Sequence, residues 1–304
     1  MRTWLQVFGA IALIWLVGAT AGQAQVTLRW KLQPSDKLHY AIVSDSTMSF
    51  RSGDLPFALV QRQTVDLTWE VQAVDEQGTV TFTQTAERMR FMVKWNDQQP
   101  MNYDSDTKDQ PQDPIGKMLT TAVGALVKQP IQLKMAADGR LVELNLPAAI
   151  REKLKQAGST NQLGTFFSEE GMKRMFDLMQ LPDEPVTEGM SWQRESEISD
   201  PATGKQLIAT TFTYAGSEDQ DGQALEKISL SMKLDLKPAA GQPLKTEIKE
   251  QESKGLVLFD NTAGRLVSSK TESKLVFSMM GPGGKPQASA LETTMTAKLQ
   301  PAMP

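Results

Sequence analysis

The chain has 304 residues, 40% of them hydrophobic, with one histidine, no cysteine and a formal charge of −4 at pH 7. Without cysteine there is neither a disulfide nor a thiol nucleophile, and the single His39 excludes zinc or copper held by several His or Cys ligands. Acidic and basic residues are interspersed and the balance is slightly negative, which argues against nucleic acid as a partner and against tight docking to anionic lipid.

At the N-terminus Arg2 precedes an apolar run of about 12 residues, followed by the small residues Ala19, Ala21 and Ala24. That pattern predicts a signal peptide over 1–24, cleaved after Ala24 or, as second choice, Ala21. It implies export to the periplasm or the extracellular medium and no membrane span after cleavage. A retained anchor is the rival; Gln6 interrupts the run, which is also shorter than a span needs. No cysteine follows it, so a lipid-anchored lipoprotein is excluded.

Beyond residue 25, period-2 alternation dominates. Val26–Leu32 reads as a short strand around Trp30, and Asp36–Phe50 as a long one with Leu38, Tyr40, Ile42, Met48 and Phe50 on one side. Val65, Leu67, Trp69, Val71 and Ala73 alternate with polar residues, and the turn ending at Gly78 returns the chain into Thr79–Trp95. Val80 and Phe82 keep one phase there, whereas Met89, Phe91, Val93 and Trp95 keep the other, so a bulge is expected near Gln84–Arg88. Residues 96–114 are polar and proline-punctuated and read as a loop.

Asp113 then reads as an N-cap with Pro114 as the first helical residue, and Ile115, Met118, Leu119, Ala122, Val123 and Leu126 form one apolar stripe over 114–127. After a hairpin over Pro130–Asn145, a second helix begins at Pro147 with Gly158 as its stop; 157–167 is linker-like. Ser168 caps a third helix, whose first turn holds Glu169 and Glu170 and whose apolar side holds Met172, Met175, Phe176 and Met179.

The second half repeats this grammar: a strand around Trp192, a hairpin turning over 217–222 into the alternating strand Leu225–Lys237, and a charged strand at Thr246–Lys254 placed at a sheet edge. The hairpin Gly255–Met280 turns at Asp260–Gly264, and a last strand carries Leu291, Met295 and Leu299. The tetrapeptide Gly-Arg-Leu-Val occurs at 139–142 and again at 264–267. The expectation is a mainly β (α+β) protein of long antiparallel hairpins forming curved sheets, with two or three amphipathic helices inserted mid-chain. Two duplicated β-rich halves are expected, 25–145 with the inserted helix 114–127 and 189–304, joined by a helical connector over 146–188. Shared turn chemistry among β-meanders is the rival explanation.

Catalytic patterns are sparse. His39 sits on a strand, no Gly-x-Ser-x-Gly elbow is present, and no glycine-rich phosphate loop occurs. The acidic cluster Asp104–Asp109 departs from a calcium loop, since Lys108 stands at a ligand position and the required glycine is missing. Sixteen methionines remain the feature most open to a functional reading, because Met is flexible and polarizable and suits varied apolar partners. The candidate ligand-binding residues are therefore Met118, Leu119, Val123, Met172, Met175, Phe176 and Met179. The partner expected is an apolar ligand or a segment of an envelope protein, with no cofactor and no metal. A structural or interaction module without a pocket and a carboxylate-dependent hydrolase are the alternatives.

Two stretches, LRWKLQPSDKLHYAIVSDSTMSF at 28–50 and GLVLFDNTAGRLVSSKTESKLVF at 255–277, resemble an uncharacterised bacterial family of exported β-rich proteins, a domain of unknown function. The resemblance implies a β-rich exported fold and carries no activity across. More loosely, long hairpins covered by helices look like the half-barrels of periplasmic lipoprotein and lipid carriers.

Overall fold

The computed structural model describes residues 25–52, 55–156, 169–177, 179–200, 204–237, 246–280 and 286–301. The expected signal peptide, the stop at Gly158 and the cap at Ser168 lie outside these residues.

Twelve strands form one antiparallel sheet. The first six are β1 (Lys37–Ser52), β2 (Leu55–Val74), β3 (Val80–Trp95), β4 (Met101–Asp104), β5 (Ile131–Met135) and β6 (Leu141–Asn145). Then follow β7 (Ser191–Asp200), β8 (Gly204–Gln220), β9 (Gln223–Lys237), β10 (Thr246–Asp260), β11 (Arg265–Met280) and β12 (Pro286–Gln300). The spatial order is β6-β5-β3-β2-β1-β12-β11-β10-β9-β8-β7, with β4 added against β3. Each run is thus a meander of sequential neighbours, and the pairing of β1 with β12 welds the two into one sheet. That contact runs from His39 opposite Gln300 to Phe50 opposite Ser289 without a register shift.

Because β6 and β7 are the two edges, the chain must cross from one edge to the other. It does so through the helices α2 (Ala148–Gln156) and α3 (Glu169–Asp177). Helix α3 touches both β6 and β7, so the curled sheet brings its edges together at one end until a single helix bridges them. Strand twist and bulges produce such a curl. One bulge falls where the phase change required it: Leu67 opposes Ala86 and Asp66 opposes Arg88, which leaves Glu87 as the extra residue. Helix α1 (Pro114–Leu126) starts as its sequence demands, Asp113 Oδ1 accepting from the N–H groups of Ile115 and Gly116 at 3.0 and 3.1 Å. Its stripe of Leu119, Ala122, Val123 and Leu126 is buried in the same core as Met89 and Phe91 of β3.

Four expectations are corrected. Val26–Leu32 is no strand; it makes a single bridge, Val26 with Val186, and lies across one end of the curled sheet with Leu28, Trp30 and Leu32 buried. Residues 96–114 are not wholly loop, since Met101–Val93 pairing begins the short β4. The turn over 217–222 is tighter, with only Asp221 and Gly222 between paired Gln220 and Gln223, both at positive φ. Finally, Thr246–Lys254 is not an edge strand but the first part of β10, which lies between β9 and β11.

The repeated tetrapeptide has a structural counterpart. Gly139 and Gly264 both adopt positive φ, 85° and 63°, and in both copies the valine is skipped by the strand register as a bulge. The two turns grip consecutive residues of the N-terminal segment: Trp30 N–H donates to Ala137 O at 2.8 Å and Lys31 N–H to Gly264 O at 3.0 Å.

Candidate functional site

At the end closed by that segment, the concave face of the sheet carries an aromatic cluster. Trp69 stacks on Phe176 of α3 at 5.8 Å with 12° between planes, packs against Phe82 at 4.7 Å, and meets Tyr40 edge-on at 5.3 Å. Trp30 completes it, 5.5 Å from Phe259. Polar edges of these rings are all satisfied: Tyr40 OH donates to Leu266 O, Trp69 Nε1 to Gln84 Oε1, and Trp30 Nε1 to Met179 O. Burial pushes the Tyr40 phenol well above its usual range, so it is a neutral donor at any physiological pH.

Beside this cluster lies a cavity of about 80 Å³. Its floor is the inner face of the sheet, where Ile42, Ile228, Val257 and Ala297 from four different strands meet; its cover is Met175, Phe176 and Met179. No charged side chain among the described residues lines it. Of the seven sequence-predicted residues, the structure brings these three to the cavity. Leu119 and Val123 are fully buried in the core, Met172 is buried there too, and Met118 packs against it; none of these four lines the cavity. The sheet half of the wall was not picked out in the sequence. Alternation marked those residues as inward-facing, but which strands become neighbours depends on the β1–β12 closure.

Other chemistry lies elsewhere. His39 is on the convex face, its Nδ1 3.0 Å from Thr68 Oγ1. In the acidic cluster, Asp104 accepts two hydrogen bonds from Arg88, which hold its carboxyl below the usual carboxylate range, and Asp106 pairs with Lys128 at 3.4 Å. Among the described residues no three His, Cys, Asp or Glu side chains gather as a metal set. No helix of the described residues is long and apolar enough to cross a membrane.

Residues 77–249 match a family model described as a family of unknown function, DUF6263. The chain belongs to that family. No curated protein matches it. Among solved structures, it aligns with lipovitellin, from a study of lipid–protein interactions, at 13% identity and a TM-score of 0.48 over 90% of this chain. The chain spans about a quarter, 26%, of lipovitellin's length. It also aligns with DynF of the dynemicin biosynthesis pathway of Micromonospora chersina, at 9% identity, 92% and 88% coverage of the two chains and a TM-score of 0.22. A domain named for outer-membrane lipoprotein sorting, from Vibrio parahaemolyticus, aligns at 11% identity, 87% coverage of each chain and a TM-score of 0.16.

Proposed function

We propose that this chain is an exported, non-enzymatic binding protein that takes the apolar tail of a small amphiphile beneath α3. The observation that supports this reading is the cavity: its lining is mainly apolar with a few polar residues such as Gln84 and Thr271, no charged side chain among the described residues lines it, and two of the three residues that cover it are methionines. Met175 and Met179 are half-buried, and their unbranched side chains can swing aside at little cost. Closed, a volume of about 80 Å³ admits only the end of a chain, so a longer tail requires α3 to lift from the sheet edges it bridges. Its head would remain at the rim, in water. Export follows from the signal-peptide pattern over 1–24.

The test is native mass spectrometry of the mature protein purified without detergent, followed by organic extraction. A stoichiometric lipid-like adduct is expected, and the Ala297→Leu variant, which fills the cavity from the sheet side, should lose it while retaining its circular dichroism and melting temperature. A clean apo mass, with no fatty acid taken up on titration, would overturn the reading in favour of an interaction module.

A further inference from the structure

The cavity is the closed end of a longer feature on the concave face. β1 pairs with β12 and with β2, and β12 with β11, without a register shift, so every second residue of these strands faces the same way as Tyr40 and Ile42. One row past Ile42 and Ala297, about 7 Å along the strands, Gln63, Ser44, Met295 and Thr271 stand side by side. The next row is polar throughout: Gln61, Ser46, Thr293, Ser273 and Ser253, one each from the adjacent strands β2, β1, β12, β11 and β10. At about 4.8 Å between strands this polar band is about 19 Å wide. Beyond it the face turns apolar again, with Leu59, Met48, Leu291 and Leu275 in one row.

Two properties of the band point to a ligand. It carries no charge: from the row of Ile42 to that of Phe50, no inward-facing residue of β1, β2, β11 or β12 is Asp, Glu, Lys or Arg. The outward-facing positions beside it are Asp45, Arg62, Glu272, Lys274 and Glu292, so the same strands tolerate charge wherever they meet water on the other face. Its hydrogen-bonding capacity is also unspent, since Gln63 Nε2 and Ser253 Oγ are shielded from solvent and have no partner among the described residues. Buried polar atoms are ordinarily paired, and an unpaired one is costly.

We propose that the concave face takes a neutral lipid with two apolar arms joined by an uncharged ester or hydroxyl core, of which a diacylglycerol is the simplest. This inference rests on the cavity reading: one arm ends in the cavity beneath α3, the core lies on the polar band, and the second arm runs over Met48, Leu275 and Leu291. Ester carbonyls accept from the glutamine amides and the serine and threonine hydroxyls, and a free glycerol hydroxyl donates back. A phosphate or carboxylate head is disfavoured on the band because it would be partly desolvated with no cation facing it. A plain hydrocarbon is disfavoured because it would leave the band unpaired.

The test delivers dioleoylglycerol, dioleoylphosphatidic acid, monooleoylglycerol or hexadecane from cyclodextrin to the mature protein and reads the bound fraction by native mass spectrometry. Dioleoylglycerol should bind about tenfold tighter than the phosphatidic acid with the same chains. In the triple variant Ser46→Ala, Thr293→Val, Ser273→Ala, the ratio of dioleoylglycerol to hexadecane affinity should fall about tenfold, the effect of one or two neutral hydrogen bonds. Leu291→Lys, which sets a charge in the row beyond the band, should weaken dioleoylglycerol more than monooleoylglycerol. Equal affinity for the neutral and anionic lipids, an unchanged ratio in the triple variant, or equal losses in Leu291→Lys would each overturn this inference; if hexadecane still binds and Ala297→Leu removes it, the cavity reading survives. Binding of none of the four would overturn both. Should the triple variant fail to fold, the comparison of neutral with anionic lipid on the parent protein decides the matter.

Discussion

Replacing Gly264 by alanine tests whether the repeated Gly-Arg-Leu-Val turns hold the N-terminal segment in place. The residue sits at φ +63°, and a Cβ there would lie 2.2 Å from the backbone nitrogen of Lys31 and 2.3 Å from its Cβ. Left-handed backbone costs a non-glycine residue about 1–2 kcal/mol. The clash is with backbone, so the turn and the segment must part by more than 1 Å, roughly the shortfall from ordinary contact. That loses the 3.0 Å bond from Lys31 N–H to Gly264 O, worth about 1 kcal/mol, and loosens the Trp30–Phe259 edge contact, worth about 1 kcal/mol more. The sum is about 3–4 kcal/mol. At roughly 2 °C per kcal/mol for a chain of this size, the melting temperature should fall by about 6–8 °C. The control is Gly222→Ala: its φ is +81° with nothing within 4 Å of the added Cβ, so only the backbone cost applies and the loss should be about 2–4 °C. Calorimetry on the two variants beside the parent gives both numbers. Equal losses would refute the argument, since they would mean that the contact with Lys31 contributes nothing beyond the turn's own conformation.

Three further substitutions or titrations follow from the same geometry. Phe176→Ala removes a ring only 2% exposed and stacked on Trp69, and should cost about 3–5 kcal/mol in urea unfolding, whereas half-buried Met175→Ala should cost clearly less; similar midpoints would refute the role of Phe176 as the anchor of α3. Asp113→Ala deletes the cap of α1 and should lower stability by about 1 kcal/mol, with an unchanged urea midpoint as the contrary result. Burial raises the phenols of both Tyr40 and Tyr214, the latter helped by its hydrogen bond to Glu226 at 2.5 Å. Because these values are raised on folding, the stability they contribute is whole below about pH 10, the unfolded value, and is lost as pH rises above it. Absorbance at 295 nm should therefore show no ionisation of these two rings near pH 10 in the native protein, only on alkaline unfolding; a native step there larger than the one phenol of Tyr103 would contradict their burial.

Local chemistry by itself determined much of this molecule. Alternation along Thr64–Ala73 and Leu225–Lys237 set strand identity and inner face, the phase change before Met89 required the bulge at Glu87, and Asp113-Pro114 fixed where α1 begins. Period 2, however, says which side a residue faces and not which strand will lie beside it. Only the tertiary structure decided that β1 pairs with β12, that α3 therefore bridges opposite edges, and that Ala297 and Ile42 share a cavity floor. The helical stripes had the same limit: Leu119 and Met175 carry equal apolar signals, yet one seals the core and the other covers the cavity. Trp30 read as a strand residue because an apolar segment lying across a sheet's end has no period of its own to betray it. The charged first part of β10 looked like an edge because its ladder with β9 covers only Gly255–Phe259, so that Thr246–Lys254 is paired in full on one side alone, with β11, and charge is how a sequence marks backbone that has no ladder partner.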